Sequence, residues 1–386
     1  MLLGFKTELN LNNKQRTALA QHAGTARHAW NWGLWLTEKI LKHNQAHPTE
    51  KLKFPSAIDL HKLLVAIVKP ENPWYYESSK CAPQYALRQL REAWDRAFKK
   101  TAKPPQFKRK GKSQDSFTLD GTIKILGAHH IQVPVIGILK TFESLPQVQV
   151  KNVTIGRQSD KWSISFKIEV DPQPTEKTNL SVGVDLGVKQ FATWSDGQIF
   201  DAPQEYKRIK AHIAKLQYLN RNKQRGSKSY KDFQKRIAGL HYRLVCIRKD
   251  FLNKLTTALA KTFKVVCIED LNVSGLLKFG RLAGAVALLG FYEFRRQLEY
   301  KCQLYGSELA IISRWEPSSK TCSQCGWKND ELTLKDRVFD CLNCGQSIER
   351  DLNAAINIER IGLSLSSLRL ADGEVPTPPV EASRKR

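Results

Sequence analysis

The sequence predicts a multidomain α+β protein, and three features of its layout carry that reading. A strand followed by mostly helical sequence fills residues 1–103, and alternating strands fill 116–170. Beyond a linker at 171–178 with two prolines, strands and helices mix as in an α/β domain. Into that last region are set two Cys-x-x-Cys pairs, Cys322/Cys325 and Cys341/Cys344. At 386 residues the chain can bury more than one core.

Residues 2–9 read as a strand, after which Asn12 or Asn13 offers an N-cap for a helix running to about Ile40. Trp30, Trp32 and Trp35 sit in it among Ala, Leu and Gly, which reads as core packing. A second helical stretch starts near Asp59, breaks at Pro70 and Pro73, and resumes from Pro83 to about Lys100. From Lys99 to Lys112 there are seven basic residues and no acidic one, with Pro104, Pro105 and Phe107 among them. Paired prolines stop a helix, leaving a basic loop suited to a phosphate backbone, with Lys108, Arg109 and Lys110 as candidate contacts. Residues 148–155 and 162–168 alternate as half-buried antiparallel strands do.

Past the linker, residues 180–187 form a strand interrupted by Asp185, and Asp196-Gly197 turns a hairpin. Residues 204–262 read as helix, able to fold back at Gly226. Residues 264–268 are a short strand closed by Glu269 and Asp270. A helix around 290–306 carries Arg295 and Arg296, two further candidate nucleic-acid contacts. The Pro-rich tail, 371–386, reads as disordered.

Charge sets the partner class. Lys and Arg number 62 against 37 Asp and Glu, a net charge of +25 that points to a polyanion. The excess is clustered: between Lys207 and Lys254 there are fifteen Lys or Arg against two Asp and no Glu. Outside the two pairs the cysteines (Cys81, Cys246, Cys267, Cys302) are scattered, which fits a reducing compartment rather than a disulfide scaffold. The N-terminal residues are charged too soon for a signal peptide, and no apolar run is long enough to span a bilayer. A cytosolic or nucleoid-bound protein is expected.

The two cysteine pairs, fifteen residues apart, have the spacing of a zinc ribbon in which each knuckle supplies two thiolates. Three acids stand where burial is expensive: Asp185 within an apolar strand, Glu269 at a strand end, and Asp351 at the start of a helix just after the ribbon. Converging carboxylates make a hard-oxygen site for Mg²⁺ or Mn²⁺, and two such ions can stabilise both oxygens exchanged in phosphodiester cleavage. Each acid has a plainer reading. Residues 183–187 also resemble a phosphate loop, Asp270 is an alternative to Glu269, and Asp351 could serve only as an N-cap.

Five segments stand in the order found in TnpB proteins, the transposon-encoded RNA-guided nucleases related to type V CRISPR effectors. They are Gly183-Val184-Asp185-Leu186-Gly187-Val188-Lys189, Ile268-Glu269-Asp270-Leu271-Asn272, Glu293 through Lys301, Pro317-Ser318-Ser319-Lys320-Thr321-Cys322, and Arg350-Asp351-Leu352-Asn353-Ala354-Ala355-Ile356-Asn357-Ile358. Residues 79–87 and 107–111 are similar too.

The resemblance implies a RuvC nuclease domain of RNase H-like fold over 179–320 and 346–370, with Asp185, Glu269 and Asp351 as its metal-binding triad. It implies a zinc ribbon at 321–345 that binds target nucleic acid. An oligonucleotide-binding β-barrel, the wedge, would comprise 1–10 and 104–175, with a helical recognition module at 11–103 inserted in it. Guide RNA from the transposon end would pair with double-stranded target DNA, the protein reading only a short adjacent motif. Two magnesium or manganese ions would assist hydrolysis, leaving a 5′-phosphate and a 3′-hydroxyl, and one zinc would be structural. Lys80 and Gln84 match positions that contact the adjacent motif, and Phe54 lies near a position where a relative offers tyrosine. A monomer on RNA in a prokaryotic cytosol is implied. The competing readings are a nuclease-dead RNA-guided repressor, a zinc-ribbon DNA-binding protein without RNA, and a transposase.

Overall fold

The computed structural model describes residues 1–278, 280–333 and 335–371. The tail expected to be disordered, 371–386, lies outside them apart from Ala371. The chain forms two compact units, Met1–Val170 and Asp171–Arg386, so the boundary falls where the linker was expected.

The first unit opens with β1 (Leu2–Asn10) and α1 (Asn13–Ala46). Asn12 accepts from the Gln15 amide at 2.8 Å and Gln15 reaches back to the Asn12 amide at 3.0 Å, a capping box that contributes on the order of 1 kcal/mol. The helix runs past the expected Ile40 to Ala46, because residues 41–46 contain neither Gly nor Pro. Next come α2 (Ala57–Leu63), a π-helical turn at Leu64–Val68, and α3 (Lys69–Glu71). α4 (Cys81–Phe98) starts before the expected Pro83. Proline there sits in the first turn, where its missing N–H has no intrahelical acceptor to lose. Gly33 lets α1 press on α4, since a Cβ there would lie 2.7 Å from Leu87.

Six strands follow: β2 (Ser116–Asp120), β3 (Lys124–Ile125), β4 (His130–Val133), β5 (Gly137–Thr141), β6 (Asn152–Gln158) and β7 (Lys161–Glu169). Their order is β2-β6-β7-β1-β5-β4-β3, so the N-terminal strand is central and antiparallel to both neighbours. The basic loop is clasped onto α1. Trp30 Nε1 donates to the Gln106 carbonyl at 3.0 Å, while Asn31 holds both the N–H and the C=O of Lys108.

The second unit contains β8 (Asn179–Leu186), β9 (Ala192–Trp194), β10 (Ile199–Phe200), α5 (Glu205–Asn220), α6 (Lys228–Thr262) and β11 (Phe263–Glu269). Then come α7 (Val273–Leu276), α8 (Gly280–Leu289), α9 (Phe291–Tyr305), β12 (Glu308–Ile312), β13 (Val338–Asp340), β14 (Ser347–Glu349) and α10 (Arg350–Ala371). The expected helical hairpin turns at Gly226, whose φ of +89° suits glycine. The main sheet has order β10-β9-β8-β11-β12; β9 is antiparallel to β8 and to β10, whereas β11 and β12 run parallel to β8.

Alternation decides what each face of this sheet carries. Val182, Val184, Val266 and Ile268 pack with Leu252, Leu255, Leu259 of α6 and Phe294, Leu298 of α9. The intervening residues face α10, where Val265, Cys267, Ala310 and Ile312 enclose Ile358. Asp185 and Glu269 belong to this second set.

Candidate active site

Parallel pairing sets Val184 beside Ile268 and Gly183 beside Cys267, so the next residues, Asp185 and Glu269, stand side by side at the strand ends. The third acid arrives from above. A Cβ on Gly183 would collide with the Ala355 carbonyl and lie 2.6 Å from the Glu359 amide nitrogen, so α10 rests directly on that glycine. Asp351 is one turn before Ala355 and Asp185 two residues beyond Gly183, steps of about 6 Å each that bring the two together. Asp351 lies inside the first turn of α10, after Arg350, which sets aside the simple N-cap reading.

The electrostatics agree. Burial, then the charges of Asp351 and Glu269, push Asp185 up to about 7, with Arg350 opposing. Burial, then Asp270, pushes Glu269 up to about 7. Asp270 is a different kind of group. Burial acts to raise it, but Arg314 and Arg295, one on each carboxylate oxygen, together outweigh that and hold it below the usual carboxylate range. That clamp favours Glu269, not Asp270, as the third open carboxylate. Asp351 accepts from Arg350 Nε at 3.3 Å and Nη2 at 3.0 Å. The triad residues are half-buried, and Arg350, paired with Asp351, offsets part of their charge; the acid that remains fits a divalent cation. Among the described residues the three carboxylates are not drawn as close as the four cysteine sulfurs, which lie within 4.8 Å of one another.

Those cysteines fit zinc. All four Sγ atoms lie within 4.8 Å of one another, with Cys322–Cys344 at 3.7 Å and Cys325–Cys341 at 3.4 Å. A tetrahedron with Zn–S bonds of about 2.3 Å has edges of about 3.8 Å. None of the four is in a disulfide. The knuckles repeat one backbone pattern: Gly326 N–H donates to the Cys322 carbonyl and Gly345 N–H to that of Cys341, with both glycines at positive φ. The Asn343 amide, then the Trp327 backbone, pull Cys325 down to about 6, while desolvation and the neighbouring thiols push Cys344 up, the divergence expected of sulfurs closing on one another.

Sequence reasoning missed what joins the two centres. Asn353 and Asn357, both fully buried, project from α10 to the first knuckle. Asn353 donates to the Thr321 carbonyl at 2.7 Å and accepts from the Ser323 amide at 2.9 Å; Asn357 donates to the carbonyls of Ser318 and Thr321. The available signal was two asparagines four apart, in the otherwise apolar stretch Leu352–Ile358 of the helix.

The candidate nucleic-acid contacts fare unevenly. Lys80 and Gln84 are exposed at the start of α4, and Arg109 and Lys110 are exposed on the basic loop. Lys108 is drawn inward, its ammonium 3.8 Å from the Trp30 ring centre, and burial lowers its pKa. Phe54 packs edge-on to Trp94 and Phe98. Arg295 pairs with Asp270 and Glu299, and Arg296 grips Glu293 with two bonds of 2.8 Å.

Comparison with known proteins places this arrangement in a family. A Streptomyces pristinaespiralis protein named "Putative RNA-guided DNA endonuclease" is 36% identical over 318 residues, covering 80% of this chain and 77% of the relative. The chain belongs to the TnpB family. An Escherichia coli K12 member, "Putative RNA-guided DNA endonuclease InsQ", is 30% identical over 395 residues, covering 97% of this chain and 94% of its own. Family models match this TnpB-family chain in three stretches: a "Probable transposase" at 163–279, a "Cas12f1-like, TNB domain" at 291–358, and a "Helix-turn-helix domain" at 1–46. In that last stretch the structure has β1 and the single helix α1. A solved Cas12f1–sgRNA–target DNA complex aligns over 93% of this chain and 98% of its own at 13% identity, with a TM-score of 0.48.

Proposed function

We propose that this protein is an RNA-guided DNA endonuclease that cuts double-stranded DNA next to a short adjacent motif, with Asp185, Glu269 and Asp351 as the metal-holding carboxylates. Family membership supports the activity. The observation that carries the site is the convergence of two strand-end acids with the first turn of α10. The sheet order around them, three antiparallel strands then two parallel to the first, is that of an RNase H-like RuvC domain, proposed here for 179–320 and 346–370. The zinc ribbon is 321–345. The sheet built on β1 and the strands of 104–175 is the proposed wedge, and 11–103 the recognition module.

Bound divalent cations, two magnesium or manganese ions, would supply Lewis acidity to water and to the scissile phosphate. The chain's own part is positional. Asp185 and Glu269 fix two carboxylates in register on rigid strands, Asp351 adds a third from a helix seated on Gly183, and the two arginines on Asp270 keep that acid out of the set. Guide RNA, encoded by the transposon end, would occupy the basic surfaces of a monomeric ribonucleoprotein. Among the described residues no helix is long and apolar enough to cross a membrane.

The test is purification after expression with flanking transposon DNA, sequencing of co-purifying RNA, and plasmid cleavage with Mg²⁺. Guide-matched cutting that disappears in Asp185→Ala is expected. RNA-dependent DNA binding without cutting in the native protein would instead support the repressor reading.

A further inference from the structure

Trp315 is 86% exposed, whereas Trp30, Trp94, Trp162 and Trp194 are buried. Among the described residues its indole has no aromatic or cationic partner. Exposing so much aromatic surface forgoes a large burial energy, and the backbone beneath it is firmly held. On one side Arg314 is clamped to Asp270, whose own N–H donates to the Ile312 carbonyl at 3.0 Å. Within the turn, Trp315 N–H donates to Ser313 Oγ at 3.3 Å and Glu316 N–H to the Ser313 carbonyl at 3.1 Å. On the other side the Pro317 carbonyl accepts from Lys320 and Thr321, and Asn357 holds the Ser318 carbonyl. The ring therefore stands on an elbow fastened to both the catalytic sheet and the helix of Asp351.

Its distance from the triad is bounded by the chain itself. Ile312 is the register partner of Glu269, about 4.8 Å away, and three residues of chain add at most about 11 Å. Trp315 thus lies within about 16 Å of Glu269. At about 3.4 Å per nucleotide that is a span of about five nucleotides.

We propose that Trp315 is a stacking platform for a nucleobase of the DNA strand presented to Asp185, Glu269 and Asp351. The proposal rests on the nuclease reading, and the +25 chain supplies the attraction for the strand. A flat, rigid, sequence-tolerant π surface beside a phosphodiester site suits an unpaired base, because every base offers a face to stack. Stacking would fix the strand on one side of the scissile phosphate, where small misplacement is costly in rate.

The guide-loaded protein, held uncut in Ca²⁺, is irradiated with target DNA carrying 5-iododeoxyuridine at successive positions, and crosslinks are mapped by mass spectrometry. Crosslinking to Trp315 from one or two adjacent positions, within about five nucleotides of the cut, is expected. In Mg²⁺, Trp315→Ala should cut about tenfold more slowly at saturating target with target affinity nearly unchanged, while Trp315→Phe should stay within about threefold of native. The absence of a Trp315 crosslink from every position overturns the platform, even if cutting proceeds. A crosslink in native protein that never cuts overturns the nuclease reading and leaves the stacking contact standing. Equal cutting by Trp315→Ala and native protein overturns the positioning role.

Discussion

Gly183 carries the carbonyl of Ala355 against its bare Cα, and that contact determines where Asp351 can stand. A methyl group there meets backbone on α10, which has no rotamer with which to yield. Gly183→Ala is expected to cost about 3 kcal/mol and lower the melting temperature by roughly 10 °C. Gly4→Ala on β1, where nothing lies within 4 Å of the added atom, is the control and should melt near native. Equal melting of the two variants would show that α10 is not seated on this strand.

Burial and two like charges, Asp351 and Glu269, act on Asp185, and Arg350 offsets them only in part. Asp185→Asn should therefore abolish cutting and yet raise the metal-free melting temperature by a few degrees, because it removes both repulsion and the burial of charge. Guide-dependent DNA binding, measured by filter retention, should persist. A variant that melts lower than native and still cuts would argue against a metal-holding role.

Much of this site was legible because its chemistry breaks local rules. An acid in an apolar strand, an acid closing another, and paired knuckles before a helix are each visible as violations. The residues alone left Asp270 open beside Glu269, and only the family resemblance chose between them, since the physical difference depends on Arg295 and Arg314 reaching one carboxylate from separate elements. Arg295 and Arg296, expected to face nucleic acid, are matched by acids four and three residues away on the same helix, Glu299 and Glu293, a spacing the sequence does show. Helix ends were misjudged where a local signal was read without its position. Pro83 opens no helix because it already lies in the first turn of α4.

Acid strength should link metal binding to pH. Asp185 and Glu269 have folded values near 7, above unfolded carboxylate values near 4. A proton held more tightly by the folded state makes this contribution to stability largest at low pH and lost as pH rises towards about 7. Above that the fold carries both anions, and a divalent cation relieves them. The rise in melting temperature on adding Mg²⁺ should thus be larger near pH 8 than near pH 5.5. Scanning fluorimetry with and without Mg²⁺ at both values checks this; a shift independent of pH would contradict it.

Zinc and nuclease should be coupled through Asn353 and Asn357. Their amides are the polar links from α10 to the backbone of Ser318, Thr321 and Ser323, and both side chains are fully buried. Removing one leaves buried carbonyl and amide groups unpaired, at about 1–3 kcal/mol each. Asn353→Ala should keep one zinc per chain but slow cutting, since the first turn that carries Asp351 is no longer anchored to the knuckle. Cys322→Ser should lose the metal altogether, and with it both the ribbon and the cutting. Metal analysis beside cleavage rates separates the two effects. If Asn353→Ala cuts at the native rate with zinc in place, the ribbon folds independently of the carboxylate site and the coupling is absent.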